Sequence, residues 1–310
     1  MKSTQNFLDL TGSQLTSIPE NIFDHTEIEE IWFDDNRIQE IPPDIAGMIN
    51  LKRLNIYKNL LKDLPEAVFD LTNLERINFS LNHITALSER IGKLQKLQVL
   101  DFNNNKISML PDSVGRLENL RFLYAAGNGL SSLPSSLRGL KNLTYLNITH
   151  NNFTDMPECI GHLENLIELR MYNNSMQSLN DIMGKLKNLK EIYAMNNQIK
   201  SLPGSIGSLD NLRKLMLENN QLQSLPDNIG DLENLTDLDL RCNRLTSLPK
   251  TIGNLKNLRF LDLRDNKLTS LPPEIKNLTK LEKLDFRLNK GIAVPDWLNA
   301  LEQRGCTVFY

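Results

Sequence analysis

Asp239, Asp262 and Asp285 stand 23 residues apart and could set three carboxylates side by side, an oxygen-rich row of the kind calcium takes. Two residues after each comes an arginine, Arg241, Arg264 and Arg287. Like charges lined up across neighbouring strands repel, and an adjacent row of opposite sign is the simplest remedy. The pattern therefore points to a solvated charged face and not to a metal site. The other reactive residues are dispersed: His25, His83, His150 and His162 fall in different parts of the chain, and Cys159, Cys242 and Cys306 form no CxxC pair. Cys242 has no histidine at a neighbouring strand position that could activate it. Gly92-Lys93 and Gly184-Lys185 lack the earlier glycine of a phosphate-binding loop. The expectation is a protein without catalytic residues, metal or cofactor.

The elements that place these residues follow from a strict internal period. Asn36, Asn59, Asn82, Asn105, Asn128, Asn151, Asn174, Asn197, Asn220, Asn243, Asn266 and Asn289 succeed one another at steps of 23, and one step further back lies Ser13. Such a period means stacked modules, none of which can bury its apolar face alone. In "LRFLDLRDNKLTSLPPEIKNLTK", residues 258 to 280, the leucines of Leu261-Asp262-Leu263 point to one face of a strand while Asp262 and Arg264 point to the other. Each module should give one short strand. Eleven of the 13 prolines, among them Pro19, Pro65, Pro111, Pro203 and Pro249, lie six residues after the asparagine position, where a fixed φ and a missing N–H suit a turning return path. An asparagine amide offers a donor and an acceptor on a short stem, so a column of them can serve the buried turns of adjacent modules.

This unit resembles the leucine-rich repeat, in its 23-residue class LxxLxLxxNxLxxLPxxIGxLxx, over residues 7 to 301. The resemblance implies an α/β solenoid, right-handed, with a concave parallel sheet of about 13 strands and a convex layer of turns and 3₁₀ segments. One domain is expected over 1–310, with a lead at 1–6, repeats at 7–294 and a cap at 295–310. In the cap, Pro295 and Asp296 suit a helix start, Trp297, Leu298 and Leu301 give an apolar stripe, Gly305 suits the stop, and 306–310 complete a last strand. The cap implies that the chain ends here. At the other end the first strand has little cover, and a bare edge invites pairing with a second copy.

Strand positions that face away from the core collect aromatic residues in the middle of the chain. Phe122, Tyr124, Tyr145, Arg170, Tyr172, Tyr193, Met195 and Met216 occupy them, and these residue types are enriched in the cores of protein interfaces. Ala126, Gly127 and Gly129 lack bulk and would leave a shallow depression beside Tyr124. Trp32, ringed by acids in "TEIEEIWFDDN", and Tyr57 form a second candidate that could take a basic ligand. Arg244, Lys267 and Lys290 extend the arginine row as a solvated face. From 170 to 200 the module is irregular: Met171, Met176 and Met183 replace Leu or Ile, Ala194 replaces a larger residue, and Asn180 stands in place of Pro.

The expected function is a non-enzymatic interaction module that binds a protein or peptide on its concave face. The resemblance also admits the recognition arm of a larger enzyme, such as an effector ubiquitin ligase, kinase or GTPase, and a carbohydrate binder on the tyrosine platform. A net charge of −3, from 35 basic and 38 acidic residues, favours neither nucleic acid nor an anionic membrane as partner. No apolar run is long enough to span a bilayer. Unpaired cysteines suit a cytoplasmic setting; an exported bacterial protein with its signal removed is the alternative.

Overall fold

A computed structural model describes residues 6–310. The chain forms two compact units, the first ending at Asn151 and the second running from Asn152 to Tyr310. In the first unit the strands are β1 (Phe7–Asp9), β2 (Glu30–Trp32), β3 (Arg53–Asn55), β4 (Arg76–Asn78), β5 (Val99–Asp101), β6 (Phe122–Tyr124) and β7 (Tyr145–Asn147). In the second they are β8 (Glu168–Arg170), β9 (Glu191–Tyr193), β10 (Lys214–Met216), β11 (Asp237–Asp239), β12 (Phe260–Asp262), β13 (Lys283–Asp285) and β14 (Thr307–Phe309). Within each unit successive strands pair in parallel and in register, as in Asn78↔Asp101↔Tyr124 and Arg170↔Tyr193↔Met216. The middle residue of a strand points inward: Leu54, Ile77, Leu100 and Leu123 in the first unit, and Leu169, Ile192 and Leu215 in the second, are fully buried. Ala194, Met171, Met176 and Met183 are fully buried too, so the irregular stretch belongs to the core of its unit.

The asparagine column is a ladder of amides, ten of its twelve members buried and Asn128 and Asn174 half-buried. Asn59 Oδ1 accepts the Ile38 N–H at 2.9 Å, while its Nδ2 donates to the Phe33 and Tyr57 carbonyls at 2.9 and 3.2 Å. Asn243 repeats the arrangement with Leu222 N–H and the Leu217 and Leu240 carbonyls. One side chain therefore serves backbone groups of two modules. The residue before each ladder asparagine is left-handed, with φ of 53° at Asp35, 55° at Asn104, 54° at Asn173 and 52° at Asn219. Asn, Asp and Gly tolerate that conformation best. Gly127 occupies it with φ of 64°, and a Cβ there would lie 2.3 Å from Asn104 Oδ1.

Among the described residues twelve 3₁₀ helices return the chain to the next strand. Most begin after a proline in extended conformation, such as Pro203 at φ −68° and ψ 150°. At the two exceptions, Ser88 and Asn180, the side-chain oxygen instead accepts the N–H of Arg90 and Ile182. A cap thus replaces the ring where the ring is absent.

These return segments stack closely. A Cβ on Gly207 would lie 2.4 Å from the Asn228 carbonyl oxygen, whereas one on Gly204 meets nothing nearer than 3.8 Å. Gly207→Ala should therefore destabilise by about 2 kcal/mol through forced backbone displacement. Gly204→Ala, by stiffening the unfolded chain alone, should be neutral or stabilise by up to about 1 kcal/mol. Urea midpoints of the two variants check this, and equal values would refute the close approach.

The last helix, α1 (Leu298–Glu302), begins three residues later than Pro295 suggests, because Leu298 N–H bonds the Pro295 carbonyl in a turn that precedes it. Leu298 and Leu301 are buried, Trp297 is half-buried, and Gly305, at φ 90°, leads into β14. Residues 1–5 of the expected lead lie outside the described residues. No helix among the described residues is long and apolar enough to cross a membrane.

Candidate interaction face

The strand residues that flank the buried middle position point away from the core and form the face on which recognition chemistry can sit. In the first unit three aromatic candidates meet. The Tyr124 and Tyr145 rings lie 4.8 Å apart at 39°, and Phe122 lies 6.3 Å from Tyr145. All three are half-buried. Beside them is a depression of about 290 Å³ lined by Asn55, Arg76, Asn78, Val99, Asp101, Phe122 and Tyr124. Its lining thus comes from β3 to β6, and Ala126, Gly127 and Gly129 do not border it. Gly127 meets the demand of a left-handed turn packed on Asn104.

Asp101 was not singled out by type or spacing, yet it is the one carboxylate in this depression. It accepts the Asn103 N–H at 3.0 Å, and burial pushes its carboxyl up to about 6 against that bond. The signal was present in the sequence: Asp101 holds the strand position of Asp239, Asp262 and Asp285, but Asn103 stands where they have arginine.

In the second unit the candidates enter a charge network. Arg170 Nε donates to Glu168 Oε1 at 2.5 Å, and the Arg170 guanidinium lies 4.9 Å from the Tyr193 ring centre. The Tyr193 hydroxyl donates to Glu191 Oε2 at 2.6 Å, and Lys214 lies 3.2 Å from Glu191 Oε1. Glu168 and Glu191 are register neighbours, so their repulsion is offset by Arg170 and Lys214. Burial opposes ionisation of Glu191, but the Tyr193 hydroxyl and Lys214 hold its carboxyl below the usual range. Tyr193 itself is raised, by burial and by that same bond. Tyr172, Met195 and Met216 are half-buried on the same face, and Met216 borders a smaller depression of about 150 Å³ with Asp237, Asp239, Phe260 and Lys283.

The aspartate column is matched by its arginines. Arg264 contacts Asp262 at 2.6 Å and Asp285 at 3.5 Å, Arg287 contacts Asp285 at 2.7 Å, and Arg241 contacts Asp239 at 3.2 Å. Among the described residues no group of three or more His, Cys, Asp or Glu is placed to hold a metal ion. At Trp32 the indole N–H donates to Glu30 at 2.9 Å and Phe7 packs edge-on at 5.0 Å. Glu30 also binds Arg53, Glu29 binds Lys52 and Asp35 binds Lys58, so these three acids near Trp32 already hold cations of the chain, while Asp34 accepts a backbone N–H. Tyr57 stands apart and exposed, its N–H bonded to Asp34.

A second asparagine column, not foreseen, runs along the exposed returns. Asn50, Asn73, Asn119 and Asn142 each donate Nδ2 to a carbonyl 24 residues back in the first unit, and Asn188, Asn211, Asn234 and Asn257 do so in the second.

The chain matches the leucine-rich repeat region family over residues 115–218 and 197–303, and a related leucine-rich repeat family over 26–84 and 72–130. Among solved structures it is similar to a leucine-rich-repeat protein of Leptospira interrogans, at 28% identity and TM-score 0.70 over 99% of this chain and 96% of that one. An internalin of Listeria monocytogenes, at 22% identity and TM-score 0.86, covers 99% and 86% and shares the fold. A plant peptide hormone receptor, RGFR1 in complex with RGF2, is 29% identical with TM-score 0.71 over 92% of this chain and 53% of the receptor. No curated protein matches the chain by sequence.

Proposed function

We propose, from the premise that this chain belongs to the leucine-rich-repeat family, that it is a non-enzymatic module binding a protein or peptide on the outward face of its strands. The observation that carries this is the depression of about 290 Å³ walled by Phe122 and Tyr124, with Tyr145 packed behind them. Large, rigid rings remove much area from water at small entropic loss, each contributing about 2 kcal/mol when covered. Ligand binding by the plant hormone receptor similar to this chain supports the same use.

The test is a crosslinking pull-down to identify the partner, followed by affinity measurement with Tyr124→Ala/Tyr145→Ala. Affinity should fall by about tenfold or more, on the order of 1.4 kcal/mol, while far-UV circular dichroism stays unchanged. Unchanged affinity would sink the proposal for this unit.

A further inference from the structure

Asp101 differs from its counterparts in the same strand position. Asp239, Asp262 and Asp285 each face a guanidinium two residues on. At Asp101 that place is taken by Asn103, whose Oδ1 accepts the Ala126 N–H at 2.7 Å. Asp101 therefore keeps one hydrogen bond from the Asn103 N–H and, among the described residues, has no cation within ion-pair distance. It borders a depression whose other walls include Phe122, Tyr124 and Val99. A carboxylate beside aromatic and aliphatic walls suits a long side chain with an apolar stem and a cationic head. The chain uses the same chemistry internally: Arg170 packs on Tyr193 at 4.9 Å and Arg287 on Phe309 at 4.7 Å, each paired with a carboxylate.

We infer that this depression receives a basic side chain of the partner, its cation set against the Asp101 carboxylate and its stem against the Tyr124 and Phe122 rings. The inference rests on the interaction function proposed above and names its ligand chemistry. On the strands beside β5, the charged group in the depression is Arg76 of β4; the neighbours of Asp101 in its own row are Asn78 and Tyr124. Arg76 is exposed and faces Val99 in register. It repels an incoming cation from that side and leaves the approach over Asn78 and Tyr124. The two charges thus act with opposite sign on a basic ligand. Protonation of Asp101 near pH 6 should weaken the interaction in the same way as its neutralisation by mutation.

The experiment titrates the ¹⁵N-labelled full chain with acetyl-arginine amide, acetyl-glutamate amide and acetyl-leucine amide, following the Asn103, Tyr124 and Ala126 amide signals at slightly alkaline pH. The arginine probe should shift these signals, Asp101→Asn should weaken its binding about tenfold, and Arg76→Ala should leave it equal or tighter. Arginine-probe shifts no larger than those of the leucine probe, and equal in wild type and Asp101→Asn, would overturn the basic-ligand inference while leaving a binding face. Shifts by the glutamate probe that vanish in Arg76→Ala would overturn it in favour of an acidic ligand. Absence of shifts with all three probes would overturn both the inference and the proposed function of this unit.

Discussion

Asn220→Ala should lower stability by about 3 kcal/mol, whereas Asn234→Ala, in the exposed second column, should change it by no more than about 0.5 kcal/mol. Asn220 is 6% exposed and bonds the Ile199 N–H through Oδ1 at 3.0 Å and the Ala194, Leu217 and Glu218 carbonyls through Nδ2 at 2.9, 3.0 and 3.2 Å. The Ala194 and Leu217 oxygens also receive Nδ2 of Asn197 and Asn243, so they remain partly served. Ile199 N–H does not, and a buried donor left without an acceptor costs about 1–3 kcal/mol on its own. The lost volume in a packed turn adds the remainder. Asn234 makes one exposed bond, to the Asp210 carbonyl at 2.7 Å, and water replaces it. Urea denaturation of both variants decides the matter, and similar midpoints would show that the buried column is dispensable.

Asp101→Asn should stabilise the protein at pH 8 and leave it unchanged at pH 3. Burial raises the folded-state value to about 6 from 3.8, so folding favours the protonated acid. That preference is intact below the unfolded value and is lost as pH rises through the folded one. Above pH 6 the buried charge should therefore cost up to about 3 kcal/mol, from roughly two pH units at 1.36 kcal/mol each. Asparagine keeps an oxygen for the Asn103 N–H without the charge. Asp239 is a useful contrast: burial raises it to about 6 as well, against bonds from Arg241, and Asp239→Asn would leave Arg241 with Glu218 as its one carboxylate partner among the described residues. Its gain should be smaller. Thermal melts across this pH range check both variants, and a destabilised Asp101→Asn at pH 8 would contradict the stated origin of the shift. A residue whose removal strengthens the fold while weakening arginine capture would mark a site held against stability.

Much of the fold was legible because its determinants repeat. The ladder asparagines, the prolines and the paired leucines act at fixed offsets, and their roles follow from amide valence, ring geometry and strand alternation. The structure adds what depends on an individual neighbour. Asn180 looked like a lapse in the proline column; its side chain caps the 3₁₀ turn, as Ser88 does. Gly127 looked like missing bulk, but its backbone is left-handed and Asn104 occupies the space of a Cβ. The second asparagine column was visible as Asn-Leu recurring at the same period, from Asn50-Leu51 to Asn257-Leu258. What periodicity cannot convey is how a departure from the pattern is filled. The rings at Phe122, Tyr124 and Tyr145 were foreseen by type, while Asp101 gains its meaning from an arginine that is not there.

The ladder also bears on how such a chain can grow. Each amide reaches back 21 residues for a donor and 26 for an acceptor, so one inserted residue between rungs would put both partners out of step. Adding or losing a whole rung-to-rung segment restores every bond. Length in this architecture therefore changes by quanta, and gradual lengthening is confined to chain that lies outside the spacing of the rungs.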